Sequence, residues 1–320
     1  MTSNLFESFV DMEALAADAA LPDAQRRRVA ILTATDSGEP EALALLLRHV
    51  ADEDAGVRQQ VAQGLATFDG GPAAEGLVRL VRDADAQVAR LAAESLSELK
   101  EPAAAPAIIA GLGDPQPAVR AALLRGLKEL RSQLAWGPAI EALQDEEAEV
   151  RAQAVGVIAY LKREDSVPAL QAAARDADAT VRRTAVSALG FSQTRGAVET
   201  ITRALQDAEW PVRESAAETL GLSKGAGVDA RALIGVLDDD FWQVRLKAIR
   251  SLGQLDCVEA APRIADSLAH PEANLRKEAA AVLGRLASPQ TRAQLEQAAG
   301  DPDADVRKNV RWALSRLAGA

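Results

Sequence analysis

The sequence predicts an all-α fold, a solenoid built from stacked antiparallel helix pairs. Three observations predict it: a phrase that recurs about every 31 residues, an apolar fraction rich in Ala and Leu, and a shortage of aromatic side chains. Hydrophobic residues make up 48% of the 320-residue chain, but Phe, Trp and Tyr together only 3%. That mixture suits closely packed helices rather than strands, which want β-branched and aromatic side chains.

The phrase is "RDADATVRRTAVSAL" at 175–189 and its relatives. Its apolar anchor falls at Val57, Val88, Val119, Val150, Val181, Val212, Val244, Leu275 and Val306, 31 residues apart except for 32 between Val212 and Val244. Arg follows the anchor in eight of nine copies: Arg58, Arg120, Arg151, Arg182, Arg213, Arg245, Arg276 and Arg307, with Ala89 the exception. Five positions before the anchor stands Asp, again in eight of nine: Asp52, Asp83, Asp114, Asp145, Asp176, Asp207, Asp239 and Asp301, with His270 the exception. Eight residues after it comes Leu65, Leu96, Leu127, Ile158, Leu189, Leu220, Leu252, Leu283 or Leu314. Three columns agreeing across nine registers define a structural repeat.

Each copy reads as two helices. Over 163–192, Val167, Leu170 and Ala174 share one face of a short first helix, and Pro168 is tolerated in its first turn, where an N–H is not missed. Asp176 and Asp178 occupy the break, placed to accept the unpaired N–H groups of the following helix and to oppose its positive end. Val181, Ala185, Ala188, Leu189 and Ser192 then continue at three- and four-residue spacing as the buried stripe of the second helix. A pair this short leaves an apolar side bare unless another pair covers it. The expected organisation is degenerate capping helices over 1–39, nine repeats forming one continuous solenoid over 40–318, and a short tail at 319–320. At helix spacings of about 8–10 Å, such a stack would be on the order of 80–100 Å long.

The Asp and Arg columns read first as structure. An Arg opening a second helix, near an Asp in a loop of the same or the adjacent copy, can make charge-assisted bonds that fix how copies rotate against each other. The alternative, a row of arginines receiving phosphates or carboxylates, leaves an equally regular and locally repulsive row of Asp unexplained.

Asp, then Val-Arg five and six residues on, then Ala-Ala and Leu, as in "GDPQPAVRAALLRGL" at 113–127 and "HPEANLRKEAAAVLGRL" at 270–286, resembles the HEAT-like repeats of the phycobilin (PBS) lyase type. The resemblance covers about 40–318. It implies a right-handed superhelical stack whose second helices line the concave side. For function it implies lyase or chaperone-like subunits that load chromophores, scaffolds, or subunits that recognise protein partners. The deoxyhypusine hydroxylase type of HEAT-like relative holds iron with His-Glu pairs, whereas this chain has only His49 and His270 and no such pair. The DNA glycosylase type relies on a basic aromatic groove, which the acidic balance here opposes.

The ends and irregularities give the candidate sites. "LPDAQRRRVAIL" at 21–32 keeps Arg27 in the Arg column, and Arg26, Arg27 and Arg28 read as part of a polar cap or as a patch for an acidic partner. At the other end Arg311 fills a column otherwise held by Ala62, Ala93, Leu124, Val155, Val186, Ala217, Ile249 and Ala280. One extra residue lies in "GLSKGAGVDARALIGVL" between Leu220 and Leu237, where Gly225 and Gly227 suggest a looser connection. Beside it, two positions before the anchor, Ala or Pro gives way to Trp210 and Trp242 in adjacent copies, next to Phe241. These either fill a gap or form a contact platform, a role in which Trp carries much binding energy. Ten residues after the anchor, Tyr160, Phe191 and Leu222 form an apolar strip across three copies that either seals loops or receives an apolar segment. Variable columns of the second helices, including Arg90, Glu94, Arg125, Arg183, Glu214, Glu218, Lys247, Arg250, Lys277 and Lys308, mix signs and suit protein more than nucleic acid.

No phosphate loop, nucleophile elbow, HExxH motif, Cys pair or calcium loop occurs. The single Cys257 excludes an internal disulfide framework and reads as a buried structural thiol in a reducing compartment. His270, thirteen residues on, has no spacing argument for activating it. A net charge of -11 and a pI near 4.9 oppose nucleic acid or an anionic membrane as the main partner. The acidic start "MTSNLFESFVDMEALAADAA" and the lack of an 18-residue apolar run suggest a cytoplasmic protein. The resulting expectation is a non-enzymatic scaffold or assembly factor that binds another protein, with no metal or cofactor, the alternative being a bilin lyase-type subunit or chaperone.

Overall fold

A computed structural model describes residues 11–223 and 227–318, all of them in α-helices, short 3₁₀ turns and loops. Residues 1–10 of the expected cap, Gly225 of the irregular connection and the tail at 319–320 lie outside the described residues. The chain divides into two compact units, Met1–Leu161 and Lys162–Ala320.

The first unit runs α1 (Met12–Ala19), α2 (Ala24–Ser37), α3 (Pro40–Arg48), α4 (Ala55–Leu65), α5 (Gly71–Leu80), α6 (Ala86–Leu96), α7 (Ala105–Ile109), α8 (Pro117–Leu130), α9 (Trp136–Ala142) and α10 (Ala148–Leu161). The second runs α11 (Val167–Ala173), α12 (Ala179–Ala188), α13 (Arg195–Ala204), α14 (Trp210–Leu220), α15 (Ala230–Gly235), α16 (Trp242–Gln254), α17 (Ala261–Asp266), α18 (Ala273–Leu286), α19 (Arg292–Gln297) and α20 (Ala304–Ala318). Odd and even helices pair antiparallel, and each unit is an all-α solenoid of such pairs. Within the first unit α2, α4, α6, α8 and α10 pack in succession, and within the second α12, α14, α16, α18 and α20 do the same.

The anchor column supplies the centre of this packing, since all nine anchors are buried. The column eight residues later is buried from Leu65 to Leu283, and Leu314 is half-buried. First helices are short, often opened by a 3₁₀ turn such as Glu164–Ser166, with proline in the first turn as at Pro168. In α11 the inward residue is Ala173, not Ala174, because the helix ends at Ala173 and Ala174 is its C-cap, no longer in helical geometry. The stripe of α12 is continued to Ser192 by a 3₁₀ turn, Leu189–Phe191, rather than by α-helix.

Close approach between second helices uses glycine in the second unit. Gly190, Gly221, Gly253 and Gly284 each stand nine residues after an anchor. A methyl group on Gly253 would lie 2.8 Å from Val282 Cγ1, and one on Gly190 would lie 2.7 Å from Thr219 Cγ2. These positions let neighbouring backbones meet side chains that any larger residue would push away.

Candidate protein-binding surface

The loops before the second helices are fixed by the Asp column. In all nine copies the residue five before the anchor accepts the N–H two residues on, from the Asp54 N–H on Asp52 Oδ1 at 2.9 Å to the Asp303 N–H on Asp301 Oδ1 at 2.8 Å. His270 does this with Nδ1, which accepts from the Glu272 N–H at 3.0 Å. Where the residue two further on is Asp it caps the helix, as Asp178 does for the N–H groups of Thr180 and Val181, whereas Glu209 and Glu272 make no side-chain cap.

The Arg column ties these loops in two directions. Arg58 Nη1 donates to the carbonyls of Asp52 and Glu53 in its own copy at 2.7 and 3.2 Å. Its Nε and Nη2 grip the carboxylate of Asp83 in the next copy at 2.6 and 2.9 Å. The same fork joins Arg120 to Asp145 in the first unit, and Arg182 to Asp207, Arg213 to Asp239 and Arg276 to Asp301 in the second. Arg27 in the cap repeats it on Asp52, so the degenerate pair α1/α2 docks as a full copy would. Bonds from Arg58, Arg120 and Arg276 hold the carboxyls of Asp83, Asp145 and Asp301 below the usual carboxylate range, against the opposing effect of burial. At Asp114, Asp207 and Asp239 burial is the largest influence and pushes upward, yet arginine and backbone N–H groups together outweigh it.

Each exception in the columns has its own solution. Where Ala89 supplies no guanidinium, Arg82 reaches Asp114 Oδ2 with Nε at 2.6 Å. Where His270 replaces Asp, Arg245 turns its Nε to the carbonyl of Asp239. Like the other ladder arginines, Arg151 and Arg307 also hold the carbonyls of their own loops, Arg151 those of Asp145 and Glu146, and Arg307 those of Asp301 and Pro302.

On this frame the second unit carries an aromatic pair. Trp210 opens α14 and is half-buried, and Phe241 precedes α16 and is 41% exposed. Their rings stack with centroids 5.4 Å apart and planes 16° from parallel. The Phe241 N–H is held by Asp239 Oδ1, Asp239 is held by Arg213, and the Arg213 guanidinium lies 5.8 Å from the Phe241 centroid. Ring, turn and ion pair therefore position one another. Trp242, from the same sequence column as Trp210, is half-buried at the first turn of α16, and it is Phe241 that meets Trp210.

The residues of the apolar strip differ in setting. Tyr160, in the first unit, is 39% exposed with Lys128 Nζ 5.3 Å and Arg131 Cζ 5.4 Å from its ring centre. In the second unit Phe191 is half-buried, whereas Leu222 is 60% exposed. Leu222 edges a cleft of about 190 Å³ lined also by Ser187, Glu218, Lys247 and Gln254. Across these helices Lys247 pairs with Glu218 at 2.6 Å and Arg250 with Glu278 at 2.9 Å.

Cys257 is half-buried rather than buried, because it stands in the loop after α16 beside an open cleft bounded by Ser223, Val228 and Glu259. Among the described residues no group of three or more His, Cys, Asp or Glu is placed to hold a metal ion, and no helix is long and apolar enough to cross a membrane.

A family model described as HEAT repeats matches residues 74–136, 138–225 and 230–315, well over half of the chain. Among solved structures, an X-ray structure of YibA from Escherichia coli is similar at 19% identity and a TM-score of 0.64, covering 84% of this chain and 98% of that one. The crystal structure of an engineered protein is similar at 18% identity and a TM-score of 0.51, covering 97% and 99%. Likenesses at this identity speak for the fold alone. Among curated proteins no sequence matches this chain.

Proposed function

The chain belongs to the HEAT-repeat family, and from that premise we propose that it is a non-enzymatic scaffold or assembly factor that binds a protein partner. The HEAT-repeat fold is a non-catalytic scaffold type with surface to offer. In this reading the repeats over 40–318 work as one continuous solenoid behind the cap at 1–39, in the cytoplasm. Their Asp and Arg columns are consumed in holding copies together, which leaves recognition to residues outside the repeat pattern. The observation that carries the reading is the stacked pair Trp210 and Phe241, at two positions where most copies have Ala and an acidic residue respectively. A large aromatic surface held by a rigid turn loses little entropy when a partner covers it.

The test is affinity capture from the native cell with the wild-type chain and with Trp210→Ala/Phe241→Ala, followed by mass spectrometry. A defined partner set retained by wild type and depleted from the variant, with helicity unchanged, is the expected result. Equal recovery would overturn the platform.

The Asp-to-Val-Arg signature supports a finer second reading, a subunit or chaperone of the bilin lyase type. A bilin-bearing protein among the captured partners would favour it, and an unrelated complex would favour the general scaffold.

A further inference from the structure

A second surface, separate from the aromatic pair, lies on α18 and α20. The register six residues after the anchor faces solvent in most copies, with Gln63, Glu94, Arg125, Ser187 and Glu218 exposed there and Gly156, Arg250 and Ala281 half-buried. At this register α20 carries Trp312, which is 45% exposed. Its ring lies against the backbone of Gly284 in α18, where a methyl group would collide with it. The Cε3–Cζ3 side of the ring is thus seated on α18.

Lys308 and Arg316 lie four residues before and after Trp312 on the same helical face. On α18, which packs beside α20, Lys277 and Arg285 occupy the equivalent registers. The two cations on each helix are about 12 Å apart along its axis, and the two helices are separated by about 8–10 Å. None of the four makes an ion pair among the described residues, and Arg285 has only a 3.4 Å approach to the Gly253 carbonyl. Deeper in the unit the pattern ends, because α16 has Leu246 and Gln254 at these registers, and its cations Lys247 and Arg250 are paired with Glu218 and Glu278.

We propose that Trp312 and its four flanking cations are a docking site for an acidic helical segment of a partner protein, presenting an apolar side chain to the ring and carboxylates on either side. The proposal rests on the protein-binding reading but on a different surface and a stated chemistry. Charge complementarity selects an acidic ligand, and the small extent of the cationic field selects a short segment. An extended polyphosphate would run on toward Glu218 and the acidic loops Asp178, Glu209 and Asp240, in a chain whose net charge is -11. The spacing fits a partner helix with acid, apolar and acid residues at successive four-residue intervals, since such a helix repeats the rise between Lys308 and Arg316.

The test is fluorescence anisotropy on the full chain, with a labelled helical peptide carrying Glu, Leu and Glu at four-residue intervals. A scrambled peptide of the same composition and a labelled oligothymidylate run beside it, at low and high salt. The ordered peptide should bind more tightly than the scrambled one, weaken with salt, and weaken about tenfold on Lys308→Glu/Arg316→Glu, whose side chains are exposed. Trp210→Ala/Phe241→Ala should bind it as wild type does, so that failure of the aromatic pair and failure of this site are separable. Equal binding of the scrambled peptide, no loss in the charge-reversed variant, tighter binding of oligothymidylate, or loss in the Trp210/Phe241 variant would each overturn the proposal. Unchanged circular dichroism of both variants excludes unfolding as the cause.

Discussion

Arg82 donates its Nε to Asp114 Oδ2 across 2.6 Å, from the end of a first helix rather than from the second helix that supplies the guanidinium in other copies. The copy that lacks the ladder arginine, at Ala89, has thus not lost the contact. Asp114 is buried, so removing Arg82 takes away the cation bonded to its carboxylate and leaves only the charge of Arg120 nearby. Arg82→Ala should cost about 1–3 kcal/mol, toward the lower end because Arg82 is itself part-exposed. Ala89→Arg in that background should restore most of it. Urea midpoints of the three proteins check this, and a neutral Arg82→Ala would mean that the Asp114 turn stands without its ion pair.

The ladder carboxylates make stability pH-dependent in one direction. Asp83, Asp145 and Asp301 are held below the usual carboxyl value of 3.8 by their arginines. A folded-state value depressed below the unfolded one means that the unfolded chain binds protons first on acidification. Their contribution is fully present above the unfolded value and is lost as pH falls through the folded one. Urea midpoints should therefore show no ladder-dependent change between pH 7 and about pH 5, and fall steeply below about pH 4.

His270 acts in a different window. Burial and the charges of Arg245 and Arg276 lower its pKa below the usual 6.5, with Glu272 partly opposing them. Its contribution is present above the unfolded value and lost as pH falls through the folded one, where protonation also removes the Nδ1 acceptor from Glu272. His270→Asp restores the ladder residue opposite Arg245. Melting midpoints should rise by the equivalent of about 0.5–1 kcal/mol at pH 7, and their slope below pH 6.5 should flatten relative to wild type.

Two glycine substitutions should have opposite signs. Gly253→Ala places a methyl 2.8 Å from Val282 Cγ1 and 3.0 Å from Cγ2, and the buried, branched Val282 has little room to yield. It should destabilise by about 1–3 kcal/mol. Gly156 in α10 would give a methyl group an ordinary contact, Lys128 Cδ at 3.5 Å, so Gly156→Ala should stabilise by about 0.5–1 kcal/mol through helix propensity. Urea unfolding of both variants at neutral pH checks the pair of signs.

What the sequence disclosed depended on whether a feature repeats. The anchor, Leu, Asp and Arg columns are periodic, and their burial and bonding follow from register alone. Arg82 replacing Ala89 was not legible, because it depends on an arginine from the turn after α5 reaching the same carboxylate in space. His270 interrupts the Asp column in sequence, but only the geometry reveals Nδ1 performing the turn-forming acceptance. The pairing of Trp210 with Phe241 instead of Trp242 likewise depends on Phe241 taking the position just before α16. The glycines at 190, 221, 253 and 284 were visible as a column nine after the anchor, a signal that marks close backbone approach. Trp312 was visible too, as the aromatic in an otherwise small or polar exposed column.

The central functional claim is that recognition lies in side chains outside the repeat pattern, foremost Trp210 and Phe241. The most direct measurement is the dissociation constant of the full chain for its purified partner, compared between wild type and Trp210→Ala/Phe241→Ala. The account predicts a rise of about tenfold or more with an unchanged melting midpoint. An unchanged dissociation constant would contradict it.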